Sequence, residues 1–464
     1  MLIRGGILVG ERDVFLGDLR TDADRIEEVA EKLVERPGEE TIDASGLYVL
    51  PGGIDVHTHF DLDVGFAHAS DDFYTGTVAA ACGGTTTIID HPGFGPQGCS
   101  LHHQIDLYHR LAEGKAVIDY GFHGVIQHVD DEIFRELAEL RDEGITSFKF
   151  YTTYDYRLHD DGIFRLLRVT RDLGLLPAVH CENHEMLTFL RNEWIREGKC
   201  SPHWHPKSRP QTCEGEAVSR VLALAEEAGN APIYIVHLST EIGVEMVGFY
   251  RRRGHQTIFA ETCPQYLLLD ESKYDLPGDE GLKYILSPPL RKPRDCNALW
   301  SAVSSRRIDT VATDHCSFRY SVEKQLGKDD FTKCPNGMPG VEARMSLLFS
   351  EGVLNGRMSA RHFAALTSEN PAKRFGLYPR KGVLKAGSDA DIVLIDPEIT
   401  WTMKQGFLHE NVDYTPYEEI PVQGKPVMTI SRGEIVMRDG AFVGRKGRGI
   451  FLKRDLPIFA RSEK

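Results

Sequence analysis

Short apolar runs alternate with amphipathic segments between residues 52 and 375, and this alternation limits the possible folds more than any other feature of the sequence. Apolar residues in the amphipathic segments have helical spacing, for example Ile133, Leu137 and Leu140. Strands that alternate with helices form parallel sheets, and eight such strands close into a barrel. The sequence therefore predicts an α/β fold, a (β/α)8 barrel over residues 51–379. The eight predicted strands are 54–57, 85–89, 117–125, 147–151, 176–180, 233–237, 257–262 and 309–313.

The two ends of the chain are predicted to fold together. Strand-like runs occur within residues 1–50 and again in 382–395 and 421–443, where glycines interrupt them. The charged stretch 24–36 between the first runs has helical character. Residues 1–50 are too few to bury a core alone. We therefore expect one small β domain from 1–50 and 380–450, followed by a C-terminal tail, 451–464.

Composition argues against several classes of partner. The chain has 54 Lys and Arg against 69 Asp and Glu, and the resulting charge of -15 disfavours nucleic acid and anionic membranes. No apolar stretch approaches the roughly 18 residues that a spanning helix needs. Nine scattered cysteines without a Cys-x-x-Cys pair favour a reducing compartment. A soluble, cytoplasmic protein that binds a small uncharged or cationic molecule is expected.

Side chains that bind metals follow five of the predicted strands, at the barrel edge where function resides. His57 and His59 alternate onto one face of the first strand, and Lys149 lies between two phenylalanines of the fourth. Each residue alone has an ordinary explanation, such as a structural histidine or a lysine that reaches solvent. Their convergence predicts a metal centre. The candidate ligands are His57, His59, Lys149, His180, His237 and Asp314.

With this ligand set, longer runs of the sequence resemble the cyclic-amide hydrolases of the amidohydrolase superfamily, specifically the dihydropyrimidinases and hydantoinases. The resemblance covers essentially the whole chain and implies a (β/α)8 barrel with a β-sandwich built from both termini. It also implies a homotetramer, in which the tail from Phe451 could reach a neighbour. The runs that carry it include Pro51-Gly-Gly-Ile-Asp-Val-His-Thr-His59, Thr313-Asp-His-Cys316, Asn336-Gly-Met-Pro-Gly-Val-Glu342 and Asn370-Pro-Ala-Lys-Arg-Phe-Gly376.

The resemblance implies a dinuclear zinc centre. Two cations about 3.5–4 Å apart need a bridging anion, and a lysine that has added CO₂ offers two oxygens for this purpose. A hydroxide between the metals would be the nucleophile. By position, His57, His59 and Asp314 would hold one zinc, His180 and His237 the other, and N-carboxylated Lys149 would bridge both.

The same resemblance implies how a ring is opened. Hydroxide would attack the ring amide carbonyl, and Asp314 would move the proton to the leaving nitrogen. Tyr154 would donate to the oxyanion, and main-chain groups of Ser287 and Asn336 would pair with the imide edge. Ordinary roles compete with these, since Tyr154 could be a strand-edge tyrosine and the other two could be turn residues.

The expected substrates are dihydrouracil, dihydrothymine and 5-substituted hydantoins, which would open to N-carbamoyl amino acids. The loops 61–70 and 155–159 should border the pocket for the ring substituent, and Leu62, Phe66 and Tyr156 indicate tolerance for a bulky apolar group. The glycine-rich run 92–98 has no explanation from sequence.

Three alternatives compete. Dihydroorotase would need a cationic residue beside His59, where Phe60 and Asp61 stand instead. Allantoinase shares the ligands, although the runs that begin at Ser287 and Asn336 look more like the dihydropyrimidinase branch. Scaffold proteins like the collapsin response mediator proteins share the fold but have lost metal ligands, all of which are filled here.

Overall fold

In a computed structural model, which describes residues 1–459, the middle of the chain forms a parallel barrel and both ends form one mixed sheet. The barrel strands are β6 (Gly53–Thr58), β7 (Thr85–Asp90), β8 (Asp119–Phe122), β9 (Gly124–Val125), β10 (Ser147–Tyr151), β11 (Leu176–His180), β12 (Ile233–Ile235), β13 (Ile258–Thr262) and β14 (Thr310–Val311). The strands of the mixed sheet are β1 (Leu2–Val9), β2 (Val14–Asp22), β3 (Arg25–Ala30), β4 (Thr41–Asp43), β5 (Tyr48–Pro51), β15 (Ile392–Thr402), β16 (Pro421–Ser431), β17 (Glu434–Arg438) and β18 (Ala441–Phe442).

Helices cover the barrel and connect its strands. The α-helices are α1 (Phe73–Cys82), α2 (Leu101–Ala112), α3 (Asp131–Asp142), α4 (Asp160–Leu173), α5 (His184–Arg196), α6 (His205–Ser208), α7 (Gln211–Glu227), α8 (Glu241–Arg252), α9 (Pro264–Leu268), α10 (Pro293–Ser304), α11 (Arg344–Leu348), α12 (Ala360–Ala364) and α13 (Asn370–Arg374). Short 3₁₀ turns and two π-helical turns, Phe349–Leu354 and Ala365–Glu369, complete the set.

The barrel prediction is confirmed in strand number and order. Strands β8 and β9 are separated only by His123, and together they form the third predicted strand. Adjacent strands pair in parallel from β6 to β8 and from β9 to β14. A parallel bridge between Thr58 and His315, with the His59 N–H donating to the His315 carbonyl at 2.8 Å, joins the last strand to the first. The closed barrel brings the carboxyl ends of all its strands to one face.

Burial explains why these segments are strands. Every residue of β6, β7, β8, β11 and β13 is buried, as expected of a parallel sheet covered on both faces.

Capping side chains explain where two of the helices begin. Asp72 caps α1 by accepting from the N–H groups of Tyr74 and Thr75, and Thr240 caps α8 by accepting from Gly243 N–H.

The ends of the chain meet in a nine-stranded sheet of order β18-β17-β16-β15-β5-β1-β2-β3, with β4 beside β1. The two termini join where β5 pairs antiparallel with β15, which places Val49 opposite Leu394. The predicted helix at 24–36 is wrong, because β3 pairs antiparallel with β2 there. Its glutamates are exposed at the edge strand, and Arg20 on β2 holds Glu28 at 3.2 Å and Glu39 at 2.7 Å.

A buried ion cluster ties the β domain to the barrel. The Lys381 ammonium lies 2.9 Å from Asp119 at the start of β8, 3.1 Å from Asp389 and 2.5 Å from Asp391, which precede β15. Arg432 contacts the same Asp119 at 3.0 Å. The two parts therefore share charged groups as well as apolar contacts.

The C-terminal tail lies on the barrel of its own chain as far as residue 459. Leu452 N–H donates to the Tyr120 carbonyl at 2.8 Å, and Asp455 N–H donates to the Gly376 carbonyl at 2.9 Å. Arg454 is buried and donates to Ser147 Oγ at 2.9 Å. That the tail from Phe451 to Lys464 reaches a neighbouring subunit stays a prediction, and its last residues, 460–464, lie outside the described part of the chain.

Candidate metal centre and active site

The end of β6 places two histidines on the same face of the barrel. Asp55 fixes this end of the strand, since its Oδ1 accepts from the His57 N–H at 3.2 Å and its Oδ2 accepts from Thr313 Oγ1 at 2.7 Å. The second contact links β6 to the segment after β14. The strand alternation then directs His57 and His59 toward Asp314.

His57, His59 and Asp314 form the first predicted metal group. Asp314 Oδ1 lies 3.1 Å from His57 Nε2 and 3.3 Å from His59 Nε2. The ligand atoms of the three residues all lie within 4.8 Å of one another. Two imidazoles and a carboxylate that converge in this way fit a divalent cation such as zinc.

His180 and His237 form the second group. His180 Nδ1 lies 2.9 Å from His237 Nε2, and the ring centroid of His237 is 5.5 Å from that of His57. Burial lowers the pKa of His180 and holds that of His237 well below the ordinary range. Both rings are therefore neutral, which is the form that binds a metal.

Lys149 joins the two groups. It is only 2 % exposed, and its Nζ lies 3.3 Å from His57 Nε2. Its charge is close enough to His180 and His237 to lower the pKa of each. Burial lowers the pKa of Lys149 itself to about 8, so a larger share of its amine is uncharged near neutral pH. The structure thus brings all six predicted ligands together around one point.

Asp314 is held as a carboxylate. Burial acts to raise its pKa, but the neighbouring His57 and His59 lower it well below the usual range. Its backbone lies in the left-handed region, with φ of 54°, as does that of His237, with φ of 37°. Non-glycine residues in this region are strained, and such strain is concentrated at functional sites.

Two glutamates missing from the sequence prediction orient the histidines. Glu261 Oε1 accepts from His57 Nδ1 at 2.7 Å and from the His237 N–H at 2.9 Å. Glu182 Oε2 lies 2.8 Å from His180 Nε2 and also pairs with Arg209. The signal for Glu261 was a charged residue in the otherwise uncharged strand β13, and that for Glu182 was its place two residues after a candidate ligand.

The predicted oxyanion donor lies at the same edge. The Tyr154 ring centroid is 5.3 Å from that of His180, and its backbone φ is 72°. Burial raises the pKa of Tyr154, although the nearby Arg209 guanidinium opposes the effect, so the phenol keeps its proton at neutral pH. Ser287 is near enough to the phenol to affect the same pKa. Asn336 lies in a separate segment, and its Oδ1 is buried without a hydrogen-bond partner among residues 1–459.

Comparisons with known proteins agree with this geometry. The model of the amidohydrolase family matches residues 48–436. A D-phenylhydantoinase of Escherichia coli O81 (strain ED1a) is 50% identical over 454 residues, which are 98% of each chain. The chain belongs to the amidohydrolase family. The crystal structure of dihydropyrimidinase from Brevibacillus agri NCHU1002 superposes with a TM-score of 0.96 at 42% identity and covers 99% of each chain.

A more distant relative shares the fold. The L-hydantoinase (dihydropyrimidinase) from Arthrobacter aurescens is 27% identical, with a TM-score of 0.89, and the alignment covers 98% of this chain and 99% of that one.

The two more similar relatives decide the reaction class. This amidohydrolase is a cyclic-amide hydrolase of the hydantoinase and dihydropyrimidinase type, as the sequence predicted. That result disfavours the non-catalytic scaffold among the alternatives.

The glycine-rich run 92–98 of this amidohydrolase presents an aromatic residue to the site. The Phe94 ring centroid lies 5.0 Å from those of Tyr151 and Tyr156. Both peptide groups of Gly95 bond to the Gln127 amide, since Gly95 N–H donates to Oε1 at 2.6 Å and Nε2 donates to the Gly95 carbonyl at 3.0 Å. The run therefore builds an aromatic wall next to Tyr154.

The predicted loop residues Leu62, Phe66 and Tyr156 differ in their contacts with the run 92–98. Leu62 approaches Gly93 so closely that a Cβ there would lie 2.7 Å from Leu62 Cδ1. Phe66 is 61% exposed, and its place at the border of the pocket stays a prediction. Tyr156 is the predicted loop residue that packs on Phe94.

Three other histidines of this amidohydrolase lie close to the metal centre. His315 bonds to Asp71 at 3.1 Å and faces away from the group of its neighbour Asp314. His91 packs against His57 with ring centroids 4.4 Å apart and stacks on His123 at 3.9 Å. In the part of the chain that is described, we find no helix with the length and apolar character needed to cross a membrane.

Proposed function

We propose that this amidohydrolase opens the rings of 5,6-dihydropyrimidines and 5-substituted hydantoins to N-carbamoyl amino acids at a dinuclear zinc centre. The observation that carries the proposal is the convergence of four imidazoles, one carboxylate and one buried amine at the carboxyl ends of the barrel strands. The names of the relatives, D-phenylhydantoinase and dihydropyrimidinase, support the substrate class.

The donor set fits two zinc ions, one at His57, His59 and Asp314 and one at His180 and His237. Lys149 would link them as its carbamate, which forms when the neutral amine adds CO₂ and releases a proton. Its burial and its contact with His57 support this role. When bound, the cations would supply Lewis acidity and a deprotonated water at neutral pH.

Asp314 moves the proton in the proposed reaction. Its Oδ1 faces the two histidines of β6, which leaves Oδ2 to accept a proton from the attacking water. The same oxygen returns the proton to the ring nitrogen as the carbon–nitrogen bond breaks. The low pKa of Asp314 keeps this group ionised before each turnover.

The phenol of Tyr154 donates a hydrogen bond to the carbonyl oxygen, which becomes negative when the carbonyl carbon is attacked. Main-chain groups of Ser287 and Asn336 hold the imide edge of the ring. The neighbouring wall of Phe94, Tyr151 and Tyr156 receives an apolar substituent on the saturated ring carbon. An aromatic substituent would pack edge-on against these rings.

Two further properties are proposed, one from the resemblance and one from the cysteines. We propose a homotetramer, which the mass from light scattering would test. All nine cysteines are free thiols, and this supports a place in the reducing cytoplasm.

Metal analysis and steady-state kinetics test the function. The purified enzyme should contain two equivalents of zinc or a similar metal per chain and should turn over dihydrouracil, dihydrothymine or a 5-substituted hydantoin. Comparison of kcat/KM across these compounds and allantoin identifies the substrate class. Less than one equivalent of metal, or a preference for allantoin, would contradict the proposal.

A further inference from the structure

Lys324 is a buried lysine outside the metal centre. It lies in the segment between β14 and α11, and its side chain is 0% exposed. Its ammonium donates to three carbonyl oxygens, those of Ile285 at 2.7 Å, Pro335 at 2.8 Å and Gly337 at 2.7 Å. An ammonium has three N–H donors, so every donor of Lys324 is used.

Its acceptors are all neutral. Within residues 1–459 no carboxylate forms an ion pair with Lys324, and burial lowers its pKa. Besides these carbonyls the ammonium faces the Phe318 ring, whose centroid is 5.8 Å from Nζ, and a charge buried in this way carries a desolvation penalty. No ion pair therefore accounts for a lysine here. The fixed geometry of the three carbonyls is what the ammonium provides.

Those carbonyls lie beside the two proposed substrate-binding positions. Ile285 is two residues before Ser287, and Pro335 and Gly337 flank Asn336 on both sides. Gly337 N–H also donates to the Ile285 carbonyl at 3.0 Å. Two segments that are about fifty residues apart in sequence are thus tied together at one point, next to the groups that would face the ring.

Both segments border the active site. Ser287 lies near the Tyr154 phenol. The segment of Asn336 lies beside the residues that follow Asp314, since the Cys316 N–H donates to the Met338 carbonyl at 3.0 Å. The Asn336 Oδ1 is a buried acceptor without a partner in the described part of the chain. Buried polar atoms are normally satisfied, so an unsatisfied one beside a catalytic centre points to a ligand that supplies the missing donor.

We propose that Lys324 is a positioning residue for substrate, which sets the spacing between the main-chain groups of Ser287 and Asn336 so that both meet the imide edge of one ring. The inference rests on the proposed function, since it needs a cyclic amide in the site. The ring edge is held equally in the ground state and the transition state. Loss of Lys324 therefore raises KM and leaves kcat nearly unchanged.

The test compares Lys324→Met with Lys328→Met. Lys328 lies in the same segment, and its side chain is 62% exposed. In the metal-loaded enzyme, Lys324→Met should raise KM for dihydrouracil or the preferred hydantoin about tenfold or more and change kcat less than about threefold. Metal content should match the wild type, and Lys328→Met should match it in all respects. A purely structural role would lower the folded fraction, and with it apparent kcat, without moving KM.

A second variant covers the case in which Lys324→Met does not fold. Lys324→Gln keeps two N–H donors on a shorter side chain and should show an intermediate KM. An unchanged KM in either folded, metal-loaded variant overturns the inference, and so does failure of both to fold while Lys328→Met folds. Wild-type turnover is measured first, because a wild type inactive on every cyclic amide rejects the proposed function, whereas an active wild type with an insensitive KM rejects only the role of Lys324.

Discussion

Glu261 Oε1 lies 2.7 Å from Nδ1 of His57, and this contact leaves Nε2 of the same ring facing Asp314 and Lys149. The carboxylate thus fixes both the tautomer and the orientation of the imidazole that stands at the centre of the site. Tyr234 OH donates to Oε2 of the same carboxylate at 2.8 Å, which holds it in place.

Glu261→Gln should therefore weaken the metal centre without unfolding the protein. The amide keeps the shape of the side chain but loses the charge that makes the imidazole a stronger ligand. We expect metal affinity or activity to fall by about 10- to 100-fold. Metal titration of the apoenzyme measures this change. Glu369→Gln, a buried glutamate among Arg361 and Lys373, is the matched control. Wild-type metal affinity in Glu261→Gln would show that the contact is incidental.

Removal of the amine of Lys149 should have a larger effect. Lys149→Ala should abolish both metal loading and dihydrouracil hydrolysis, because no side chain remains to bridge the two histidine groups. Lys149→Arg keeps a charge but forms no carbamate, and it should fail in the same way. Metal content and kcat are measured together. Full activity in either variant would remove the bridging role.

Metal and CO₂ should be needed together to restore the apoenzyme. After chelation and removal of CO₂, added zinc should restore activity more completely in bicarbonate than in CO₂-free buffer, because the amine of Lys149 must add CO₂ to become a ligand. Recovery is followed as kcat against bicarbonate concentration. Equal recovery in both buffers would contradict carboxylation.

The barrel could be predicted because each of its strands can be recognised from its own short stretch of sequence. Each strand is a short apolar run between amphipathic segments, and burial on both faces makes such runs continuous. The six candidate ligands were found for the same reason, since parallel strands deliver their ends to one edge. The helix predicted at 24–36 failed because charge on an exposed edge strand such as β3 resembles charge on a helix surface.

The residues that support the site could not be found in this way. Glu261 and Glu182 act through histidines brought near them by the closed barrel, and Lys324 acts on carbonyls from two distant segments. Phe94 lies in a loop whose shape depends on the Gln127 amide. Each of these contacts joins separate stretches of sequence, so even a local signal, such as the single charge of Glu261 in β13, does not reveal the partner.

The Tyr154 phenol should matter for catalysis and not for metal binding. Tyr154→Phe removes one donor to the oxyanion and leaves the ring in place. We expect kcat to fall by about two to three orders of magnitude, with metal content intact. An unchanged kcat in the metal-loaded variant would show that the phenol is a bystander.

Lys381→Met should lower the free energy of unfolding without changing the metal centre. Burial acts to lower the pKa of Lys381, but Asp391 and Asp119 raise it above its ordinary value. Its contribution is therefore complete below the unfolded-state pKa and is lost only as pH rises through the higher folded-state pKa. Loss of the ammonium leaves Asp391 without an ion pair and leaves Asp119 and Asp389 with only their arginine partners, for a loss of about 3–5 kcal/mol. Thermal unfolding at neutral pH measures it, with exposed Lys385→Met as control. Equal Tm values in the two variants would contradict this.

Phe94→Ala should change substrate preference more than overall activity. Phe94 packs on Tyr151 and Tyr156 and lines the side of the site that would receive a ring substituent. Removal of this ring takes apolar contacts from an aryl substituent and none from unsubstituted dihydrouracil. We expect kcat/KM for 5-phenylhydantoin to fall about tenfold or more and that for dihydrouracil to change less than about threefold. Phe189→Ala, at a residue of α5 that is 61% exposed, should change neither value. Equal losses for both substrates in Phe94→Ala would mean that the run 92–98 supports the site as a whole and does not read the substituent.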